Sequence, residues 1–464
     1  MITNLTPYPA YKDSGVRWLG KVPEHWELMP VKRALRPQSC GNVAIKNTAA
    51  ATPLDGYAPA FSASGQDVWL PRASHCGSAL VLSAVGARCG KTFRADGEWG
   101  VVANTHILWP RTGQNRDFWW YVTNNEAWWD KAGAAQPFVR VSATLERSWV
   151  IPPLPEQTAI VRFLDYMDRR IRRFIRAKQK LIKLLEEYRQ ALIHQAVTGK
   201  IDVRTGKPYP AYKDSGVRWL GQVPAHWDVV PLKRLAWFKS GAGFPVHYQG
   251  ETSAAIPFFK VSDMNIPGNE KYLHVCANTV SMAVAQDLGA TVLPAGTIVF
   301  PKVGGALLTN KRRIAANQCC IDNNMMGCVV RNGNRDFLFL IMSYIDLGQI
   351  AKPGPVPAIS EGEVREIRVA LPSAPEQTAI VEYLDAQTAK LDAAIAVARR
   401  EIELLREYRE RLIADVVTGK VDVRGVAAQL PEEPPDQEAV TEEEEPVAEE
   451  LATVDSQEES NGEE

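Results

Sequence analysis

No run of 18 or more apolar residues occurs in this chain of 464, so the sequence offers no membrane-spanning helix. The opening MITNLTPYPAYKD lacks a basic start followed by an apolar stretch, and a secretory signal is not expected there. Cysteine is scarce: seven residues, an odd number, with no CxxC pair. The adjacent Cys319 and Cys320 suit neither a disulfide framework nor a zinc site. These absences lead us to expect a soluble, cytoplasmic chain with reduced thiols. Also missing are a G-x-G-x-x-G turn, an N-P-P-Y-like segment and a duplicated D…ExK arrangement, so dinucleotide binding, methyl transfer and DNA cleavage find no home. GARCGKT at 86–92 falls short of a phosphate-binding loop, because Gly86 and Gly90 enclose three residues where four are needed. It reads as a basic hairpin. The chain is expected to have no catalytic residue, no metal site and no cofactor of its own.

Net charge near zero conceals a segregation. Residues 426–464 hold 15 acidic side chains and no Lys or Arg, which reads as a disordered acidic tail. Without it, 53 basic residues face 39 acidic ones, an excess of 14 positive charges that favours a polyanionic partner. The length suggests about three domains.

The strongest positive signal is internal duplication. PYPAYKDSGVRWLGKVPEHWELMPVKR at 7–33 returns at 208–234 with 21 of 27 positions identical. At a second offset, of 220, PEQTAIV recurs at 155–161 and 375–381, and LLEEYRQALIHQAVTGKIDVR at 184–204 answers LLREYRERLIADVVTGKVDVR at 404–424. Between these flanks lie 121 residues in the first half and 140 in the second, diverged almost beyond recognition. NRDF survives at 115–118 and 334–337. VLSAVGARCGKTF (81–93) parallels VFPKVGGALLTNKRR (299–313), and VVANTHIL (101–108) and CIDNNMMG (320–327) both read as strands carrying an Asn. Drift alone would scatter differences evenly. Their concentration between near-identical flanks points to one fold used twice with different working surfaces.

From Pro155 a helical pattern runs for about 43 residues and stops at Thr198-Gly199. Large residues at Ile160, Leu164, Met167, Ile171, Phe174, Leu181, Leu185, Tyr188 and Leu192 step by fours and threes, a coiled-coil seam. The second copy places Ile380, Leu384, Gln387, Leu391, Ala394, Ala398, Leu405, Tyr408 and Leu412 along its line and stops at Thr418-Gly419. Each helix would be about 64 Å long. Residues 155–200 carry 11 basic and 5 acidic side chains, residues 375–420 carry 7 and 9, so each helix should prefer the other to itself. An intramolecular antiparallel pair is expected. If matched segments make matched contacts, Arg424 should lie near Pro7 and the chain should have cyclic pseudo-twofold symmetry.

The duplicated His25 and His226 beside Trp26 and Trp227 suit ring contacts better than base catalysis, and His75-Cys76 is a poor nucleophile pair. FWWYVTNNEAWW (118–129) reads as a core helix through Phe118, Tyr121 and Val122 more readily than as a base-stacking platform.

Two variable stretches alternating with two repeated long helices, with PEQTAIV and VTGKxDVR at the helix ends, resemble the DNA-specificity (S) subunit of type I restriction-modification enzymes. The resemblance covers about residues 1–425, and the acidic tail departs from it. It implies an α+β chain of two mixed, β-rich target recognition domains (1–154 and 206–374) separated by two long α-helices (155–205 and 375–425) that form the antiparallel coiled coil. It implies double-stranded DNA as ligand, recognised at an asymmetric, two-part site. It further implies two methylation subunits and restriction subunits as partners, which hold the S-adenosylmethionine, ATP and Mg. Half-sites would lie about one DNA turn apart, 34–36 Å. Basic and amide side chains in loops are the expected DNA contacts: Arg88, Lys91 and Arg94 in the first domain, Lys302, Asn310, Lys311, Arg312 and Arg313 in the second. The rival reading is a non-catalytic coiled-coil scaffold whose domains bind proteins.

Overall fold

The computed structural model describes residues 5–40, 49–134, 136–351 and 356–431, which pack as two compact units, 1–177 with the chain from 401 onward, and 178–400. The acidic segment from 432 lies outside the described residues, and so does the expectation that it is disordered. Arg424–Gln429 form a short helix with Ala427 buried, so the first residues of the expected 426–464 tail belong to the folded body. Among the described residues no helix is long and apolar enough to cross a membrane.

In the first unit, an antiparallel sheet runs in the order Leu35–Ser39, Thr105–Pro110, Ala79–Ser83, Thr92–Ala95. A second sheet joins Gly65–Leu70, Ala58–Ser62, Glu98–Val101 and His75–Cys76, with a parallel pair at its centre. In the second unit, Ala236–Ser240, Met325–Val330, Ile298–Pro301, Arg313–Ala315 and Tyr272–Leu273 form the larger sheet. Thr279–Val280, Ile256–Phe259 and Cys320–Ile321 form the smaller one, again with a parallel pair. Even the registers agree. Trp109 faces Arg36 and Val329 faces Trp237, while the parallel pairs align Gly100 with Ala60 and Cys320 with Phe258. Alternate residues of these short strands point into cores built around Trp99, Phe118 and Trp119 in one unit and Phe258, Phe300 and Phe337 in the other.

Two of the faint sequence parallels need adjustment. Asn104 and Asn324 are not in strands; each sits in the turn between two strands, Asn104 with φ +70°. The stretch after Ser83 is a hairpin, as Ala79–Ser83 pairs with Thr92–Ala95, whereas its counterpart contains the short helix Gly304–Leu308.

The long helices span Leu154–Val197 and Ala374–Val417, 44 residues each. Their repeated first turns have a local explanation. Gln157 donates to the Pro152 carbonyl and accepts from the Asn115 amide at 2.8 Å; Gln377 does the same with Pro372 and Asn334. Asn115 and Asn334 in turn cap the helices that begin NRDF, each accepting from two backbone amides. PEQ and NRDF therefore survive divergence because they lock to each other.

Their ends are equally determined. Gly419 (φ +76°) lies so close to Pro23 that an added Cβ would stand 2.4 Å from its ring, and Gly199 (φ +69°) meets Pro224 at the same distance. Only glycine fits. Within the second unit the helices run antiparallel, with Glu186 paired to Arg399 at 3.4 Å and Arg189 to Asp392 at 3.6 Å. In the first unit Arg409 binds the buried Asp168.

The apolar seam departs from the sequence reading. Ile160, Leu164, Met167 and Ile171 are buried, but Phe174, Leu181 and Tyr188 are 54%, 41% and 55% exposed. Leu185 and Leu192 are half-buried, as are Leu391, Leu405 and Tyr408, while Ile380, Leu384 and Leu412 are buried. Ala398 is buried as expected, while Ala394 is exposed, and the inward line passes instead through Ile182 and Ile193 on the first helix and Ile395 and Ile402 on the second. A step of 11 residues connects Ile160, Ile171, Ile182 and Ile193, and likewise Ile380, Leu391, Ile402 and Ile413. Eleven residues make three turns of about 3.67, close to the natural period, whereas a strict heptad line drifts about 20° per repeat.

Candidate nucleic-acid interface

Both units close around the repeated segment through the buried glutamate of the PEQ turn, which the repeated histidine reaches in each. In the first, Glu156, 5% exposed, accepts from Tyr8 Oη at 2.5 Å and Trp26 Nε1 at 3.0 Å, with His25 Nε2 at 2.8 Å. The Arg424 guanidinium lies 5.1 Å over the Tyr8 ring, and Asp422 N donates to Thr6 O at 2.8 Å. In the second, His226 and Arg204 reach Glu376 at 3.0 and 3.3 Å, and Asp202 N donates to Lys207 O at 2.8 Å. Arg424 thus lies beside the start of the chain, as matched contacts require. The two histidines are held as structural partners of carboxylates.

The basic residues singled out from sequence fare unevenly. Arg94 is engaged inside the first unit: it pairs with Asp117 at 3.2 Å and Asp165 at 3.3 Å and stacks 4.0 Å from the Trp120 ring centre. Tyr121 Oη also donates to Asp165, at 2.6 Å. Arg88, half-buried on the hairpin, donates to Ser64 O at 3.2 Å, and the half-buried Lys91 donates its backbone amide to Arg88 O at 3.1 Å. Lys302 Nζ donates to Ser240 Oγ at 3.1 Å. Asn310 adopts φ +54° and its amide binds Ser343 O, so it serves a turn. Lys311 binds Asn265 Oδ1.

Arg312 is 3% exposed. It donates to Lys311 O, Asn310 Oδ1 and Ile345 O and lies 5.1 Å over Phe300, while burial lowers its guanidinium's affinity for its proton. Arg313 donates to Arg312 O and Met264 O, and burial lowers its pKa too. Arg94, Asn310, Arg312 and Arg313 are thus each engaged within their own unit, by partners both near and far in sequence.

The structure brings forward other cations. Lys32, Arg33 and Arg111 line a cavity of about 520 Å³ with Pro37, Ser142, Leu145 and Glu146, and the exposed Arg36 lies on the adjoining strand. On the same domain Gln38, His75 and Trp109 form a linked surface. Trp109 Nε1 donates to Gln38 Oε1 at 2.9 Å, Gln38 Nε2 meets His75 Nε2 at 3.2 Å, and His75 stacks on Trp99 at 5.0 Å. Burial lowers the His75 pKa, keeping the ring neutral at neutral pH. Arg33 was legible as half of a duplicated Lys-Arg pair; Gln38 carried no such mark. The aromatic run is core: Phe118 and Trp119 are fully buried, Tyr121 and Val122 nearly so. Among the described residues no cluster of His, Cys, Asp and Glu is placed to hold a metal ion.

Comparison with known proteins agrees with this architecture. No family model matches the chain. The type I restriction enzyme EcoDI specificity subunit of Escherichia coli is 20% identical over 418 residues, covering 87% of this chain and 90% of that protein. The MjaVIII specificity subunit of Methanocaldococcus jannaschii is 23% identical over 289 residues, and the match spans 60% of this chain but only 62% of that relative's length. Among solved structures, a chain described under complex assembly and conformational transition of the type I R-M system superposes with a TM-score of 0.64 at 15% identity. It covers 85% of this chain and 98% of its own, which establishes a common fold.

Proposed function

We infer that this chain is a DNA-specificity subunit of the type I restriction-modification family, with each β-rich domain reading one half of an asymmetric, two-part site. The observation that carries the reading is the pairing of an unchanged frame with changed surfaces. Strand registers and helix caps coincide in the two units, yet between the repeated flanks most side chains on that frame differ. A scaffold for proteins has no need of such a combination. Two readers of unlike sequences do.

The long helices supply the remaining element. Leu181, Leu184, Tyr188 and Val397 leave large apolar area exposed on them in the second unit, which suits docking of helical segments from partners. Two methylation subunits are the proposed occupants, with restriction subunits joining the assembly. Chemistry lies in those partners, where S-adenosylmethionine, ATP and Mg belong, and this chain directs them to DNA in the cytoplasm without catalysing a step. The excess of positive charge supplies the phosphate attraction, so binding should weaken steeply with salt.

The test is mapping of adenine methylation in DNA from cells that express the chain with its partner subunits. A split, asymmetric site is expected. A chimera carrying residues 34–154 of a relative should change one half of that site and leave the other intact. Methylation at no defined sequence, or a change in both halves, would defeat the reading.

A further inference from the structure

Arg33 and Arg234 occupy matching positions in the repeat, each closing a single 3-10 turn, Val31–Arg33 and Leu232–Arg234. Both side chains are exposed, and among the described residues neither has a hydrogen-bond or ion-pair partner. Their neighbours are duplicated as well. Lys32 pairs with Glu146 at 2.7 Å and Lys233 with Glu366 at 2.7 Å. Arg111 N donates to Ala34 O at 2.8 Å and Arg331 N to Leu235 O at 2.8 Å. Arg111 and Glu146 lie inside the diverged stretch, yet each has its counterpart 220 residues on.

A side chain kept in both domains cannot tell one half-site from the other. Lys32, Lys233, Glu146 and Glu366 have structural work to do, since each is ion-paired. Arg33 and Arg234 have none, so folding does not account for their presence. An unpaired guanidinium presents a planar fork of donors matched to a phosphodiester. The surroundings suit a polyanion better than a protein face. Around Arg33, Lys32, Arg36 and Arg111 outnumber the single carboxylate of Glu146, and the only apolar lining residues are Pro37 and Leu145. A protein interface would need an apolar centre there.

We propose that Arg33 and Arg234 are sequence-neutral phosphate contacts, one per domain, that seat the DNA backbone while other side chains read the bases. The proposal rests on the DNA-reading function inferred above.

The test uses the full-length chain assembled with its methylation subunits and measures affinity for a cognate and a scrambled duplex across a salt series. In the double variant R33Q/R234Q, the slope of log affinity against log salt should become shallower by about 2, one per phosphate contact. The ratio of cognate to scrambled affinity should stay unchanged, R33K/R234K should restore most of the slope, and the melting temperature should not move. A changed ratio would mean base reading and overturn the proposal. An unchanged slope overturns it too, with weakened assembly then marking a protein-docking site. If the wild-type complex shows no sequence preference at all, the functional reading fails instead, whatever the variants do.

Discussion

Glu156 and Glu376 take the same place at the first turns of the two long helices, yet their surroundings differ in several donors, Tyr8 Oη serving Glu156 and the Arg204 guanidinium Glu376. Trp26 Nε1 reaches Glu156, whereas the buried Trp227 Nε1 has no partner and Glu376 accepts from Ser373 Oγ instead. Burial and the Glu156 carboxylate together push the Tyr8 hydroxyl far above its ordinary range, so it remains a donor at any working pH. A different carboxylate sits at a cost. Asp322, 6% exposed, ends the parallel strand pair of the second unit, and burial raises its pKa to about 6. The folded state then binds a proton more readily than the unfolded chain, whose carboxyl has its ordinary value near 3.8. This contribution is greatest in acid and is lost as pH rises through about 6. Asp322→Asn keeps an oxygen for the Asn324 amide and removes the charge. It should stabilise the protein by about 2 kcal/mol at pH 7 and hardly at all at pH 4, as read from urea midpoints. An equal effect at both pH values would contradict this account.

At the scale of elements, the helices show what burial demands and what sequence alone discloses. Ile171 is 4% exposed and Phe174 is 54% exposed, although both are large and apolar and three residues apart. Ile171→Ala should therefore cost about 2–4 kcal/mol, while Phe174→Ser should change stability by about 0.5 kcal/mol or less. Thermal melts of the two variants decide it; comparable losses would place Phe174 in the seam after all. The extent of each helix was legible because Pro, Gly and the repeated caps mark it. The seam was less so, because a heptad and an 11-residue line share their first four positions, Ile160 to Ile171, and part only at Phe174. The use of one fold twice was likewise readable from duplication, and Arg424 beside Tyr8 follows from it. The internal partners of the loop arginines were not legible, for a different reason. Asp165, Asp117 and Ile345, which occupy Arg94 and Arg312, come from segments 23 to 71 residues away, and nothing local announces them.

At the scale of the whole molecule, one contact appears twice with different tethers. Asp202 N reaches Lys207 O across a tight turn, while Asp422 N reaches Thr6 O from the opposite end of the chain. Geometry matches at 2.8 Å in both, and Tyr212 and Tyr11 each donate to the corresponding lysine carbonyl at 3.2 Å. Connectivity does not match. Once opened, the first joint is returned by the few residues that bridge it, and the second must find its partner through side-chain packing alone. Deuterium uptake should consequently begin at the Asp422 amide well before the Asp202 amide, and equal uptake would show that Arg424, Ala427 and Leu430 hold this joint as firmly as a short covalent turn. Breathing of this kind would be confined to one of two joints whose hydrogen bonds are otherwise twins.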